Sequence, residues 1–144
     1  MNPETIFLPM LATMTLTAIV WFYMYARRIP AMRSARISVQ TYTTPEKLAE
    51  HLPEEVNYSA HNLKNLFEAP VLFYGLCLYL FVSGNVDTAY VVSAWLFFVL
   101  RAFHSIVHCT RNIVMLRFYL YVGSALALWY MLGRALIMEL AVYV

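Results

Sequence analysis

The stretch "HNLKNLFEAPVLFYGLCLYLFV", His61 to Val82, decides the class of fold. From Leu63 to Val82 it has the roughly 20 residues that a helix rising about 1.5 Å per residue needs to cross a hydrocarbon core of about 30 Å. Asn62, Lys64, Asn65 and Glu68 crowd its mouth, where each is costly in lipid unless something polar meets it. Three further stretches have the same length and character: Ile6 to Ala26, Thr88 to Cys109, and Ile113 to about Met138. No ten-residue alternation of the kind a barrel strand requires occurs, so helices are the only spanning structure left. The composition agrees. The chain has 144 residues, 62% of them hydrophobic and only 12% charged, whereas a soluble domain is about a quarter charged. These features predict an all-α integral membrane protein, an antiparallel bundle of four transmembrane helices (6–26, 63–82, 88–109, 113–138) in one domain covering 1–144. Residues 27–60 form its one long connection.

The first apolar run follows Glu4 rather than a basic segment and is too long for a signal-peptide core, so it reads as a membrane helix. Cys77 and Cys109 make no disulfide framework. A net charge of +2 without a basic stripe argues against a nucleic-acid partner. Orientation follows the basic residues. Arg27, Arg28, Arg33, Arg36, Lys47 and Lys64 flank or fill the 1–2 connection, and Arg111 lies between helices 3 and 4, while "SGNVD" has neither Lys nor Arg. The positive-inside rule therefore puts both of those connections in the cytoplasm and both termini on the other side. A bacterial inner membrane and an endoplasmic reticulum suit this pattern equally. Within the long connection, "TTPEKLAEHLP" reads as a short helix capped by Thr43 or Thr44, with Pro45 in its first turn and Pro53 at its end.

The polar residues inside the spans fall on helical faces. His61, Asn65 and Glu68 share one face of helix 2; Arg101, His104, His108 and Arg111 share one of helix 3; Arg117, Tyr121 and Ser124 share one of helix 4. Helix 1 closes on Arg27 and Arg28. Antiparallel packing brings all four sets to the cytoplasmic end. Arg101 lies roughly 15 Å in from the end of its helix, too deep to reach water, and Glu68 is its expected partner. A cationic cavity with one carboxylate and one amide suits an anion that also carries an ammonium group, because arginines fork onto carboxylates. Glutathione has that inventory, and neighbouring positive charge favours its thiolate over the thiol, whose free pKa is about 8.5. His104 and His108 are spaced to chelate a metal, but Arg101 and Arg111 on the same face would repel one, so no metal is expected. Gly75, Gly123 and "GSALAL" read as a small-residue packing seam, and Trp21, Phe22, Tyr23 and Tyr25 as an interfacial belt.

The order of these motifs resembles the MAPEG family, the membrane-associated proteins in eicosanoid and glutathione metabolism. The likeness covers essentially the whole chain: "ARR" closing helix 1, N-x-x-E (Asn65 and Glu68) before Pro70, and "RAFHSIVHCTRNIVMLR" across helices 3 and 4. The spacing from Arg101 to Arg117 is similar to that of the microsomal glutathione transferase branch. The resemblance implies a homotrimer with glutathione as cosubstrate between neighbouring subunits near the cytoplasmic face. It implies Asn65, Glu68, Arg101, His61, His108 and Tyr121 as binding positions, and Arg117, with Arg28 nearby, beside the reacting thiol. A hydrophobic electrophile or lipid hydroperoxide would arrive from the surrounding lipids, giving a transferase or peroxidase. Two positions depart from the glutathione-using pattern: His61 stands for an Arg and His108 for a Tyr, and a His carries charge only conditionally. The family also has non-catalytic members, so the alternative is a protein of the same fold that binds a lipid or acidic metabolite, or acts as a membrane scaffold.

Overall fold

The computed structural model describes residues 2–36, 38 and 44–141 of the chain. Among these residues there is no strand. A single 3-10 turn, Pro3–Ile6, leads into α1, Phe7–Ser34. The short α2, Pro45–Ala49, is followed by α3, Glu54–Leu66, and α4, Ala69–Val82. Two long helices complete the chain: α5, Thr88–Cys109, and α6, Val114–Leu140. Four segments are long and apolar enough to cross a membrane: Pro3–Ser34, Glu54–Val82, Thr88–Cys109 and Val114–Leu140.

Two of these helices extend further than the sequence indicates. Helix α1 runs to Ser34 instead of stopping at Ala26, so its 28 residues reach about 42 Å and carry Arg27, Arg28 and Arg33 beyond a 30 Å core. Three of its threonines return their hydroxyls to the helix itself, Thr13 to the Pro9 carbonyl at 2.8 Å, Thr15 to Leu11 at 2.9 Å and Thr17 to Thr13 at 3.2 Å. No hydroxyl among them is left bare on an apolar face. The second span begins at Glu54, nine residues before the sequence places it, and is broken once. Pro70 has no N–H for the carbonyl four residues back, and its ring crowds that position, which is Leu66. The helix accordingly ends at Leu66 and restarts at Ala69, with Glu68 at φ −97° and ψ −98° between the halves. In α2, Thr44 is the cap, accepting from the Lys47 amide at 3.4 Å, while Thr43 lies outside the described residues. Pro53 opens α3 rather than closing α2. The Asn57 amide ties the two together by donating to the Ala49 carbonyl at 2.8 Å.

Both tight turns have a clear chemical basis. After α4 the amide of Asn85 bonds the Leu80 carbonyl and that of Gly84 bonds Phe81, each at 3.1 Å. This double closure needs a left-handed residue, supplied by Gly84 at φ +71°. Asp87 then caps α5 by accepting from the Tyr90 amide at 3.0 Å. After α5 the left-handed residue is Asn112 at φ +48°, whose amide bonds the Val107 carbonyl at 2.8 Å. Asparagine is one of the few side chains that tolerates this conformation.

Toward the α4–α5 turn the interior is largely apolar: Phe73, Cys77, Leu80, Tyr90, Ala94, Phe97, Leu128 and Met131 are buried, with Phe73 stacked on Phe97 at 4.3 Å. Arg134 donates to Asp87 from both terminal nitrogens and lies over the Tyr90 ring at 4.4 Å, tying α6 to the start of α5. Gly123 lets α6 approach α5, since a Cβ there would stand 3.1 Å from the Leu100 Cδ1. Gly75 plays no such part within the chain, as a Cβ there would meet nothing within 4 Å. Leu8, Leu11, Trp21, Phe22, Phe103, Phe118 and Ile137 are exposed, the surface expected of helices solvated by lipid.

Candidate functional site

At the α5–α6 turn the interior changes from apolar to polar. Helix α5 turns Arg101, His104, Ser105 and His108 inward, all at 3% exposure or less. Helix α3 supplies Asn62 and Ser59, equally buried, and α6 supplies Arg117 and Tyr121. The Ser105 hydroxyl donates to Asn62 Oδ1 at 3.4 Å, and Asn62 Nδ2 reaches the Cys109 sulfur at 3.4 Å, so α3 and α5 are joined by a small hydrogen-bonded chain.

Arg101 is the unusual member. It is fully buried, and all three of its guanidinium nitrogens lack a hydrogen-bond partner. The nearest support of the charge is aromatic: the guanidinium lies 4.5 Å from the Tyr121 ring centroid and 5.5 Å from that of Phe97. The expected partner Glu68 acts on this charge at a distance rather than as a contact ion pair. Glu68 sits at the α3–α4 break, exposed, and no ion pair joins it to Arg101. The Pro70 break explains why: it ends the helical face that His61, Asn65 and Glu68 would share. His61 is exposed as well.

Arg117 is better provided. Its Nη1 lies 2.6 Å from Asn112 Oδ1 and 2.8 Å from His108 Nε2. An arginine has only donors, so His108 Nε2 must accept, and its ring is therefore neutral in this arrangement. The His104 and His108 rings meet edge to face at 5.4 Å, and His104 meets Tyr121 at 5.9 Å. The Nδ1 atom of each histidine is buried and without a partner. Among the described residues no three His, Cys, Asp or Glu side chains converge as a metal site requires.

A half-open cleft of about 220 Å³ opens on this cluster, lined by Asn65, His104, Val114, Arg117, Phe118 and Tyr121. Of the residues singled out in the sequence, the structure gathers Asn65, Arg117 and Tyr121 around the cleft, with His108 and Arg101 one side chain behind. Glu68 and His61 stay outside the cleft lining, exposed, yet each acts through its charge on the cluster, Glu68 on Arg101 and His61 on His108. Arg28 is held elsewhere, donating to the Pro45 carbonyl at 3.4 Å beside α2. Ser59 and Asn112 escaped the sequence reading, which puts Asn62 at the helix mouth without placing it in the site. Asn62 and Ser59 share a buried face with Leu66, a periodicity that is visible only if the helix is started at Glu54. Asn112 belongs to a turn, and periodicity says nothing of turn residues.

A helical bundle with four membrane-length spans and a cationic, partly open interior toward one end defines an all-α integral membrane protein. The MAPEG family model matches residues 6–137, and the chain belongs to that family, whose fold is a membrane four-helix bundle and which includes glutathione transferases and peroxidases among other members. Searches of curated proteins and of solved structures returned no match.

Proposed function

We propose that this protein is a membrane-bound glutathione-dependent transferase or peroxidase acting on hydrophobic electrophiles or lipid hydroperoxides. The observation that carries the reading is the Arg101 guanidinium, fully buried with three unpartnered nitrogens behind Tyr121, at a cleft whose wall holds Arg117. A buried fixed charge without an acceptor is costly, and an anionic ligand offsets that cost. A carboxylate of glutathione suits Arg101, the amide of Asn65 suits its peptide groups, and Arg117 favours the thiolate over the thiol. The thiol supplies the nucleophilic sulfur, and Arg117 holds its charge. At about 220 Å³ the cleft is smaller than an ordinary ligand pocket. It accommodates the charged end of the tripeptide and leaves the rest projecting toward a neighbouring subunit, in keeping with a homotrimer. Glu68, His61 and Arg28 would act from that interface.

A second reading has one observation in its favour. No carboxylate lines the cleft to take the ammonium group of glutathione. A lipid or metabolite with a carboxylate and no amine fits the same cations equally well, and the protein would then bind without turnover. Calorimetry on the detergent-solubilised protein separates the two, with glutathione and a long-chain fatty acid titrated in parallel. Glutathione binding lost in Arg117→Ala and Arg101→Leu supports the transferase reading. Fatty-acid binding alone, at millimolar glutathione, would replace it.

A further inference from the structure

We infer that Asn112 is a positioning residue for Arg117, fixing the guanidinium so that its free N–H groups address the cleft. The inference deepens the proposed thiolate-stabilising role of Arg117 and rests on it for its functional meaning, but the geometry stands alone. Nη1 of Arg117 carries two hydrogens, and both are used, one on Asn112 Oδ1 at 2.6 Å and one on His108 Nε2 at 2.8 Å. A guanidinium is a planar fork of five N–H donors. Holding one terminal nitrogen at two points sets its plane and leaves three donors, on Nη2 and Nε, for a ligand.

The two anchors come from different elements. His108 belongs to the last turn of α5, whereas Asn112 lies in the α5–α6 turn. The left-handed backbone of Asn112, φ +48°, reverses the chain there, and its side chain then lies within reach of a residue one turn into α6. Glycine would satisfy the backbone at this position equally well, so the requirement for the turn does not explain the amide. His108 has a matching role: an imidazole lone pair accepts from Arg117 as a phenol oxygen would. The Tyr-to-His departure therefore keeps an anchor for the arginine, and Asn112 adds another.

Two variants of the purified, detergent-solubilised protein test this. Asn112→Gly preserves the left-handed turn and removes the acceptor; Asn112→Asp keeps an acceptor and adds charge. The first readout needs no ligand: the rate at which phenylglyoxal modifies Arg117, followed by peptide mass spectrometry with exposed Arg111 as the internal reference. Asn112→Gly is expected to raise the Arg117 rate about tenfold, the scale of one lost hydrogen bond to a charged group, and Asn112→Asp to leave it at or below the wild-type rate. Equal rates in all three proteins overturn the inference, as does equal acceleration in both variants, which would reduce the side chain to part of the turn. The second readout is thiolate absorbance of added glutathione. If the wild type gives the band, Asn112→Gly should weaken it. A wild type without the band refutes the thiolate role of Arg117, while the modification rates still decide where Asn112 stands.

Discussion

Arg134 and Arg101 are stabilised in different ways. Arg134 shares its charge with Asp87 through two hydrogen bonds and is part exposed, whereas Arg101 is fully buried against aromatic faces. Replacing Arg101 with leucine removes a buried, unpartnered cation, so the ligand-free protein should gain thermal stability even as it loses its anion site. A fall in melting temperature without ligand would show that the aromatic contacts outweigh the burial cost. Since Glu68 acts on Arg101 without a contact ion pair, Glu68→Gln and Arg101→Leu should depart from additivity by no more than about 0.5 kcal/mol. A larger coupling in chemical denaturation would mean that the two side chains are in direct contact. Asp87 gives the pH-dependent term. Its hydrogen bonds from Arg134, and then the Tyr90 amide, hold its carboxyl at about 2, against 3.8 for a free one. A depressed carboxylate stabilises above its unfolded pKa and loses that contribution as pH falls through its folded one. The contribution of the pair should thus be intact above pH 4 and fade toward pH 2. Asp87→Asn should flatten the melting-temperature profile over that interval. With 42% of the Asp87 side chain exposed, solvent screening keeps the effect small, roughly 1–4 °C.

At the scale of elements, the break between α3 and α4 is the feature with the largest reach. It follows from Pro70, and it determines that Asn65 lines the cleft while Glu68 does not. Pro70→Ala should let the span run straight, raising the melting temperature and rotating Glu68 relative to Asn65. Ligand affinity should fall by about tenfold or more, because a misplacement of about 1 Å is enough for losses of this order. An unchanged affinity would show that the break has no bearing on the site. The four spans were legible in the sequence because twenty apolar residues in a row have few other uses. The ends of α1 and α3 were not. Residues 27–34 and 54–62 are polar enough to read as connection, and over 54–62 the helix is amphipathic, with Val56, Asn57, Ser59 and Asn62 turned inward, which hydropathy alone does not register. That misplaced boundary left Asn62 at the helix mouth instead of on a buried face. For the site, the helical periods placed Arg101, His108, Arg117 and Tyr121 correctly on inward faces. They put Glu68 in direct contact with Arg101, whereas it acts on Arg101 from a distance, since a period carried across a proline assumes the helix continues.

The whole molecule divides into an apolar half toward the α4–α5 turn and a polar half toward the α5–α6 turn, with Phe97 and Arg101 at the boundary on one helix face. Changes at the Asp87–Arg134 end should therefore alter stability while leaving ligand affinity within twofold, which calorimetry on Asp87→Asn would check. The buried arginine also bears on how the chain enters the membrane. An arginine near the middle of a helix opposes insertion by about 2.5–3.5 kcal/mol, and α5 carries His104 and His108 besides. Only four residues, 110–113, separate α5 from α6, and Tyr121, on which the guanidinium rests, arrives with α6. Biogenesis thus favours the delivery of α5 and α6 as one hairpin, with α5 held at the translocon until its aromatic shelter has been synthesised.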